Sequence, residues 1–113
     1  MSQISTHVLD TSLGRPAAGV PVGLEIQIAG GGWREISRGA TDADGRLRHL
    51  LEPEALIAGI YRLTFETYAY FHARKIRSLY PQIAIVFQVT DPKEHYHIPL
   101  LLSPYGYSTY RGS

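Results

Sequence analysis

Cysteine is absent from this 113-residue chain, and that alone removes several kinds of chemistry. There is no disulfide, no thiolate nucleophile and no cysteine-ligated zinc. Charge of one sign is also scarce. Eleven Lys and Arg stand against ten Asp and Glu, a formal net charge of +1, so neither nucleic acid nor an anionic membrane surface is an electrostatically favoured partner. The densest basic group, Arg74, Lys75 and Arg77, is too short for a polybasic segment and reads as a solvated helix face. The apolar runs are far too short to span a bilayer as a helix. The opening residues, MSQISTHVLD, alternate polar and apolar without the basic and apolar regions of a signal peptide. One domain, residues 1–113, in the cytoplasm is the expectation. Repeats, low-complexity stretches and linkers are missing.

What the chain does have is a hydrophobic period of two. Val20, Val22, Leu24, Ile26 and Ile28 alternate with Pro21, Gly23, Glu25 and Gln27, the pattern of a half-buried strand. Gly30 to Gly32 form a turn, and Trp33 to Arg38 is the returning strand. Asp42-Ala43-Asp44-Gly45 is a second tight turn leading into a short strand over Arg46 to Leu50. Tyr61 to Phe65 alternates again, as does the N-terminal Ile4 to Asp10. The spacing of Phe71, Lys75, Ile76 and Leu79 predicts one helix over Phe71 to Leu79, stopped by Pro81. Three further strands are expected at Ile83 to Val89, His97 to Leu102 and Tyr105 to Tyr110. Ile83, Ile85, Phe87 and Val89 share one face, but Ala84 and Val86 make the other face apolar too. Such a strand is expected to be covered on both sides, here by a second subunit. About eight short strands separated by turns predict an all-β sandwich.

Five histidines are the main source of candidate chemistry: His7, His49, His72, His95 and His97. On an alternating strand, His7 shares its face with Ser5 and Leu9, while Ile4, Thr6 and Val8 turn the other way. His95 and His97 are two apart and share a face, with Tyr96 opposite. That spacing serves metal sites, with His7 as a third ligand if the fold brings it near. It equally serves acid–base catalysis, because neutral imidazole takes a proton near pH 7 and its conjugate acid returns it. Arg46 follows the Asp44-Gly45 turn, where its guanidinium fork matches a carbonyl oxygen and stabilises an oxyanion. Asp42-x-Asp44-Gly45 lacks the rest of a calcium loop and reads as a turn. The segment Tyr105 to Ser113 is aromatic and polar, able either to fray or to dock into a site.

Four segments together resemble the 5-hydroxyisourate hydrolase family, the transthyretin-related enzymes of urate breakdown. They are Ser5-Thr6-His7-Val8-Leu9-Asp10 followed by Gly14-Arg15-Pro16-Ala17, then Thr41 to Arg46, then His95 to Pro104, and the closing Tyr110-Arg111-Gly112-Ser113. The resemblance implies a transthyretin-like β-sandwich of two four-stranded sheets with one short helix. It implies a homotetramer, a dimer of dimers, with sites in a channel between dimers. It implies hydrolysis of 5-hydroxyisourate to 2-oxo-4-hydroxy-4-carboxy-5-ureidoimidazoline without cofactor or metal. Carried over by that resemblance, His7, Arg46, His97 and Ser113 are the catalytic residues. His7, Arg46, Tyr110, Arg111 and Gly112 bind substrate, and His95 is a neighbour of unassigned role. Three other readings compete: a transthyretin-like carrier without catalysis, an adhesion sandwich, and a zinc enzyme using His95, His97 and His7.

Overall fold

The computed structural model describes residues 3–113. Nine strands and one helix follow in order: β1 (Ile4–Asp10), β2 (Arg15–Pro16), β3 (Pro21–Gln27), β4 (Trp33–Ala40), β5 (Arg46–Leu47), β6 (Gly59–Phe65), α1 (Thr67–Ala73), β7 (Ile83–Val89), β8 (Tyr96–Ser103) and β9 (Gly106–Thr109). A 3₁₀ turn, Pro53–Ala55, lies between β5 and β6. One sheet runs β4-β3-β6-β7; the other runs β2-β1-β8-β9, with β5 also paired to β1. The expected sandwich of two four-stranded sheets is therefore present, and the two-residue β5 makes the second sheet five-stranded.

Alternation decides what lies between the sheets. Val22, Leu24 and Ile26 of β3, Tyr61, Leu63 and Phe65 of β6, Ile4 and Val8 of β1, and Ile98, Leu100 and Leu102 of β8 are all buried. Each is every second residue of its strand, as the pleat requires. β1 and β8 pair in parallel and in register from Ile4 opposite Tyr96 to Asp10 opposite Leu102. This pairing brings the two ends of the chain together, and the site depends on it. Ile28 falls outside β3 and is 44% exposed, because the chain has already turned at Gly30 and Gly31, both at positive φ.

The helix differs from its prediction. It begins at Thr67 and ends at Ala73, with Thr67, Tyr70 and Phe71 inward at i, i+3 and i+4. Arg74, Lys75 and Arg77 are exposed as expected, but they lie past the helix's end rather than on its face. The terminus is a Schellman cap: the Lys75 amide donates to His72 O and the Ile76 amide to Phe71 O. Lys75 takes the left-handed conformation, φ 59°, that glycine usually supplies, so the ordinary stop signal is missing from the sequence. Leu79 is 60% exposed. The strand expected over Arg46 to Leu50 is only two residues long, because the chain leaves the sheet to bury Leu50 and Leu56 in the core. Ile83 and Val89 are buried, but Val86 on the outer face of β7 is 58% exposed, so within one chain the expected second cover is not supplied.

Asp10 anchors the far end of β1. It is fully buried, and its carboxylate accepts hydrogen bonds from Tyr70 OH (2.7 Å), Ser12 Oγ (2.6 Å) and the amides of Ser12 and Leu13. Burial works to raise its pKa, but these hydrogen bonds outweigh it and hold the carboxyl below its usual range. Burial and the same carboxylate push the Tyr70 phenol up to about 12. Tyr70→Phe is therefore expected to cost about 1–3 kcal/mol at pH 7, the range for orphaning a buried acceptor. A depressed carboxyl contributes stability above its unfolded pKa and loses it as pH falls through the folded one. The difference between variant and wild type should thus narrow below 3.8, the ordinary value of an aspartate carboxyl. Urea titrations at pH 7 and pH 3.5 measure both; equal midpoints at pH 7 would remove Tyr70 from this role.

Candidate active site

The outer face of the β1–β8 pair is polar where an ordinary sandwich face would simply be solvated. Ser5 and His7 from β1 and His97 from β8 point away from the core, because Ile4, Thr6 and Val8, and Tyr96 and Ile98, point into it. Ser5 is the register partner of His97, and His7 is the register partner of Arg46 on β5. Cross-strand partners share a face. Arg46 therefore flanks β1 on one side and His97 flanks it on the other, although 51 positions separate them in the sequence.

The turn before β5 fixes Arg46. Asp42 Oδ1 accepts hydrogen bonds from the amides of Asp44 (2.8 Å) and Arg46 (3.0 Å). Those bonds, with that of Arg46 first, hold its carboxyl below the usual range. Gly45 has φ 75°, and a Cβ there would collide with Val8 O, so only glycine lets the turn lie against β1. The Asp44 carbonyl left at the turn accepts from His7 Nε2 at 2.9 Å. The Asp-x-Asp-Gly fragment is thus a turn, with Asp42 Oδ1 spent on the turn's own amides, as its sequence indicates.

Beside this turn lies a hollow of about 220 Å³ lined by Ser5, Thr6, Arg46, Arg48, His95, His97 and Ser113. His97 is half-buried. Its Nδ1 is 2.8 Å from Ser5 Oγ, and the same oxygen is 3.0 Å from His95 Nε2. The two imidazoles stack with centroids 6.3 Å apart. Burial, then the neighbouring His95, His7 and Arg46, depress the His97 pKa, so the ring stays neutral near pH 7. The closing segment is docked rather than frayed: Gly112 bridges to His97, its amide donating to His97 O at 2.8 Å. Arg111 donates to Glu94 Oε1 (2.8 Å) and His95 O (3.2 Å).

Of the residues singled out from sequence, Arg46, His97, His95 and Ser113 line this hollow; His7 does not, but it is the register partner of Arg46. Gly112 packs against the His97 ring. Tyr110 and Arg111 do not face it; in the single chain they line a separate concavity with Val86, Phe87 and Ile98 of the neighbouring strands. His49 is exposed, and His72 stacks on Tyr68 at 5.1 Å; both lie outside the site. No three metal-ligating side chains are gathered among the described residues. Ser5 and Arg48 line the hollow without having been singled out. Their signals were the i, i+2 spacings to His7 and Arg46, which repeat a face on an extended chain.

Fold and hollow together define a β-sandwich with a polar hollow on one sheet, built from imidazoles and guanidiniums. The profile of the HIUase/Transthyretin family matches residues 4–112, and the chain belongs to that family. A protein of Salmonella typhimurium named 5-hydroxyisourate hydrolase is 47% identical over 110 residues, covering 97% of this chain and 80% of its own length. A mouse protein of the same name is 42% identical, covering 99% and 96%. Among solved structures, Klebsiella pneumoniae 5-hydroxyisourate hydrolase superposes with TM-score 0.85 at 40% identity, covering all of both chains. Sea bream transthyretin in complex with thyroxine superposes with TM-score 0.92 at 33% identity, covering 97% and 94%.

Proposed function

We propose that this chain is a hydroxyisourate hydrolase, a cyclic amide hydrolase that converts 5-hydroxyisourate to 2-oxo-4-hydroxy-4-carboxy-5-ureidoimidazoline in urate degradation. The observation that carries the reading is the meeting of a neutral, half-buried His97 with Arg46 across β1 at one hollow. The family membership and the names of the relatives above support the same substrate. His97 Nε2 takes a proton from water as its oxygen bonds to the ring carbonyl carbon. Arg46 holds the substrate and the oxyanion that develops. His97 returns that proton to the leaving nitrogen as the C–N bond breaks, and His7, whose Nε2–H is held by the Asp44 carbonyl, orients the water or substrate through Nδ1. Ser113 closes the hollow with a hydrogen-bonding wall. No cofactor and no metal enter the proposal.

A carrier reading is less well supported, because an apolar ligand gains little from a hollow carrying two guanidiniums and two imidazoles. The two readings separate in one assay. Ultraviolet decay of 5-hydroxyisourate, generated in place by urate oxidase, should be faster with the protein than without it, and the acceleration should survive prolonged chelation. Decay at the buffer rate would leave the carrier and the adhesion sandwich, and loss of activity on chelation would favour a zinc enzyme.

The proposal includes a homotetramer, a dimer of dimers, in the cytoplasm. Exposed Val86 and the free edges of β7 and β9, the last strands of their sheets, support association. In such an assembly Tyr110 and Arg111 would reach substrate only across a subunit boundary. No helix among the described residues is long and apolar enough to cross a membrane.

Gly112 offers a sharp test of the docked segment. A Cβ there would stand 2.5 Å from His97 Cδ2 and 3.1 Å from Pro99 Cγ. Gly112→Ala must displace either the base or the tail, so kcat is expected to fall roughly 10²-fold, the scale for about 1 Å of misplacement. The unfolding midpoint should hardly move. Unchanged turnover would show that the tail does not abut His97 in the working enzyme.

A further inference from the structure

We infer that Ser5 and His95 are positioning residues that fix the tautomer of His97, keeping its Nε2 unprotonated and available to the hollow. The inference deepens the hydrolase reading and rests on it. Ser5 is 6% exposed, and its Oγ lies between two imidazole nitrogens, 2.8 Å from His97 Nδ1 and 3.0 Å from His95 Nε2.

A serine hydroxyl has one proton to give. An oxygen that accepts from both rings leaves His97 with its proton on Nδ1 and Nε2 as a lone pair. Where the hydroxyl donates to one ring and accepts from the other, two arrangements are possible. In one, His95 Nε2–H donates to Ser5 and Ser5 donates to His97 Nδ1; a neutral His97 then carries its proton on Nε2 and is no base there. In the other, His97 Nδ1–H donates to Ser5 Oγ and Ser5 Oγ–H donates to His95 Nε2; Nε2 of His97 is then a lone pair.

The surroundings select the second. Arg46 and Arg48 line the hollow, and guanidiniums carry donors and no acceptor. A lone pair on His97 gives those donors a partner, whereas an N–H would add one more donor. His95 is exposed, so its remaining Nδ1–H is satisfied by water. The groups around His97 are His95 from its own strand end, Ser5 and His7 from β1, Arg46 and Arg48 from the β5 region, and Ser113. The Ser5–His95 pair thus does for His97 what a carboxylate does for the histidine of a serine protease, using neutral partners only.

The test joins a structural readout to a kinetic one. Two-bond ¹H–¹⁵N spectra of histidine-labelled protein at pH 7.5, with His97 assigned through His97→Gln, are expected to show the Nδ1–H form in the wild type. In Ser5→Ala, the Nε2–H form should rise and kcat should fall at least about tenfold, with KM changing by less than about threefold. His95→Ala should do the same in part. His95→Gln, whose amide oxygen still accepts from Ser5, should restore the wild-type spectrum and much of the rate. A wild-type His97 protonated on Nε2, or an unchanged tautomer in Ser5→Ala whatever its rate, would overturn the inference. The spectra need no substrate, so a chain inactive on 5-hydroxyisourate would sink the hydrolase reading and still leave the tautomer question answered.

Discussion

His97→Ala is expected to lower kcat by about 10²–10⁴-fold, the contribution of a positioned general base, while the protein stays folded. Geometry and protonation state both point to this ring. Its Nδ1 is taken up by Ser5, which leaves Nε2 for water, and its depressed pKa keeps it unprotonated at neutral pH. The fold should tolerate the change because His97 is on the outer face of β8, half-buried, while Tyr96 and Ile98 beside it are the core residues. Stopped-flow decay of 5-hydroxyisourate measures kcat, and circular dichroism with size-exclusion chromatography measures fold and assembly. A variant within a few-fold of wild type would remove His97 from the chemistry.

Arg46→Ala is expected to cost about 10²–10³-fold in kcat, the loss seen when one donor to a developing oxyanion is removed. It has a second consequence. The Arg46 charge is one of the causes that lower the His97 pKa, after burial, His95 and His7. A base works when neutral, so the rate declines as pH falls through its pKa, and the wild-type acid limb should lie below 6.5, the ordinary histidine value. Without Arg46 the pKa rises and the limb moves to higher pH. A pH profile of kcat/KM for both proteins measures this; a slow variant whose limb stays in place would mean that Arg46 binds substrate without neighbouring the base.

The alternating faces of β1, β3, β6 and β8 were readable because the core enforces a period of two, and a one-residue slip would expose Leu24 or Leu100. The helix's bounds are hard to read from sequence because its buried face, Thr67, Tyr70 and Phe71, is β-branched and aromatic like a strand's, and because Lys75 occupies the position where glycine normally signals the end. At the site, His7, Arg46 and His97 stood out through the family's motifs, not through spacing. The sequence does not state that β1 pairs in parallel with β8 and antiparallel with β5, which is what makes them neighbours. Ser5 was assigned to the His7 face, yet its bonds to both His95 and His97 depend on that same long-range pairing. Tyr110 and Arg111 show the reverse: motif grouped them with Ser113, but both line the other concavity, Arg111 drawn there by Glu94 Oε1 and the His95 carbonyl.

The central claim is that His97 and Arg46 serve one bound oxopurine ring. A crystal structure of the protein with urate, the stable parent of the substrate, tests it most directly. The expected result is the ring in the hollow beside Ser5, with His97 Nε2 and the Arg46 guanidinium each about 3 Å from its polar edge, directly or through one water. Urate seated elsewhere, with both side chains beyond its reach in every subunit, would contradict it.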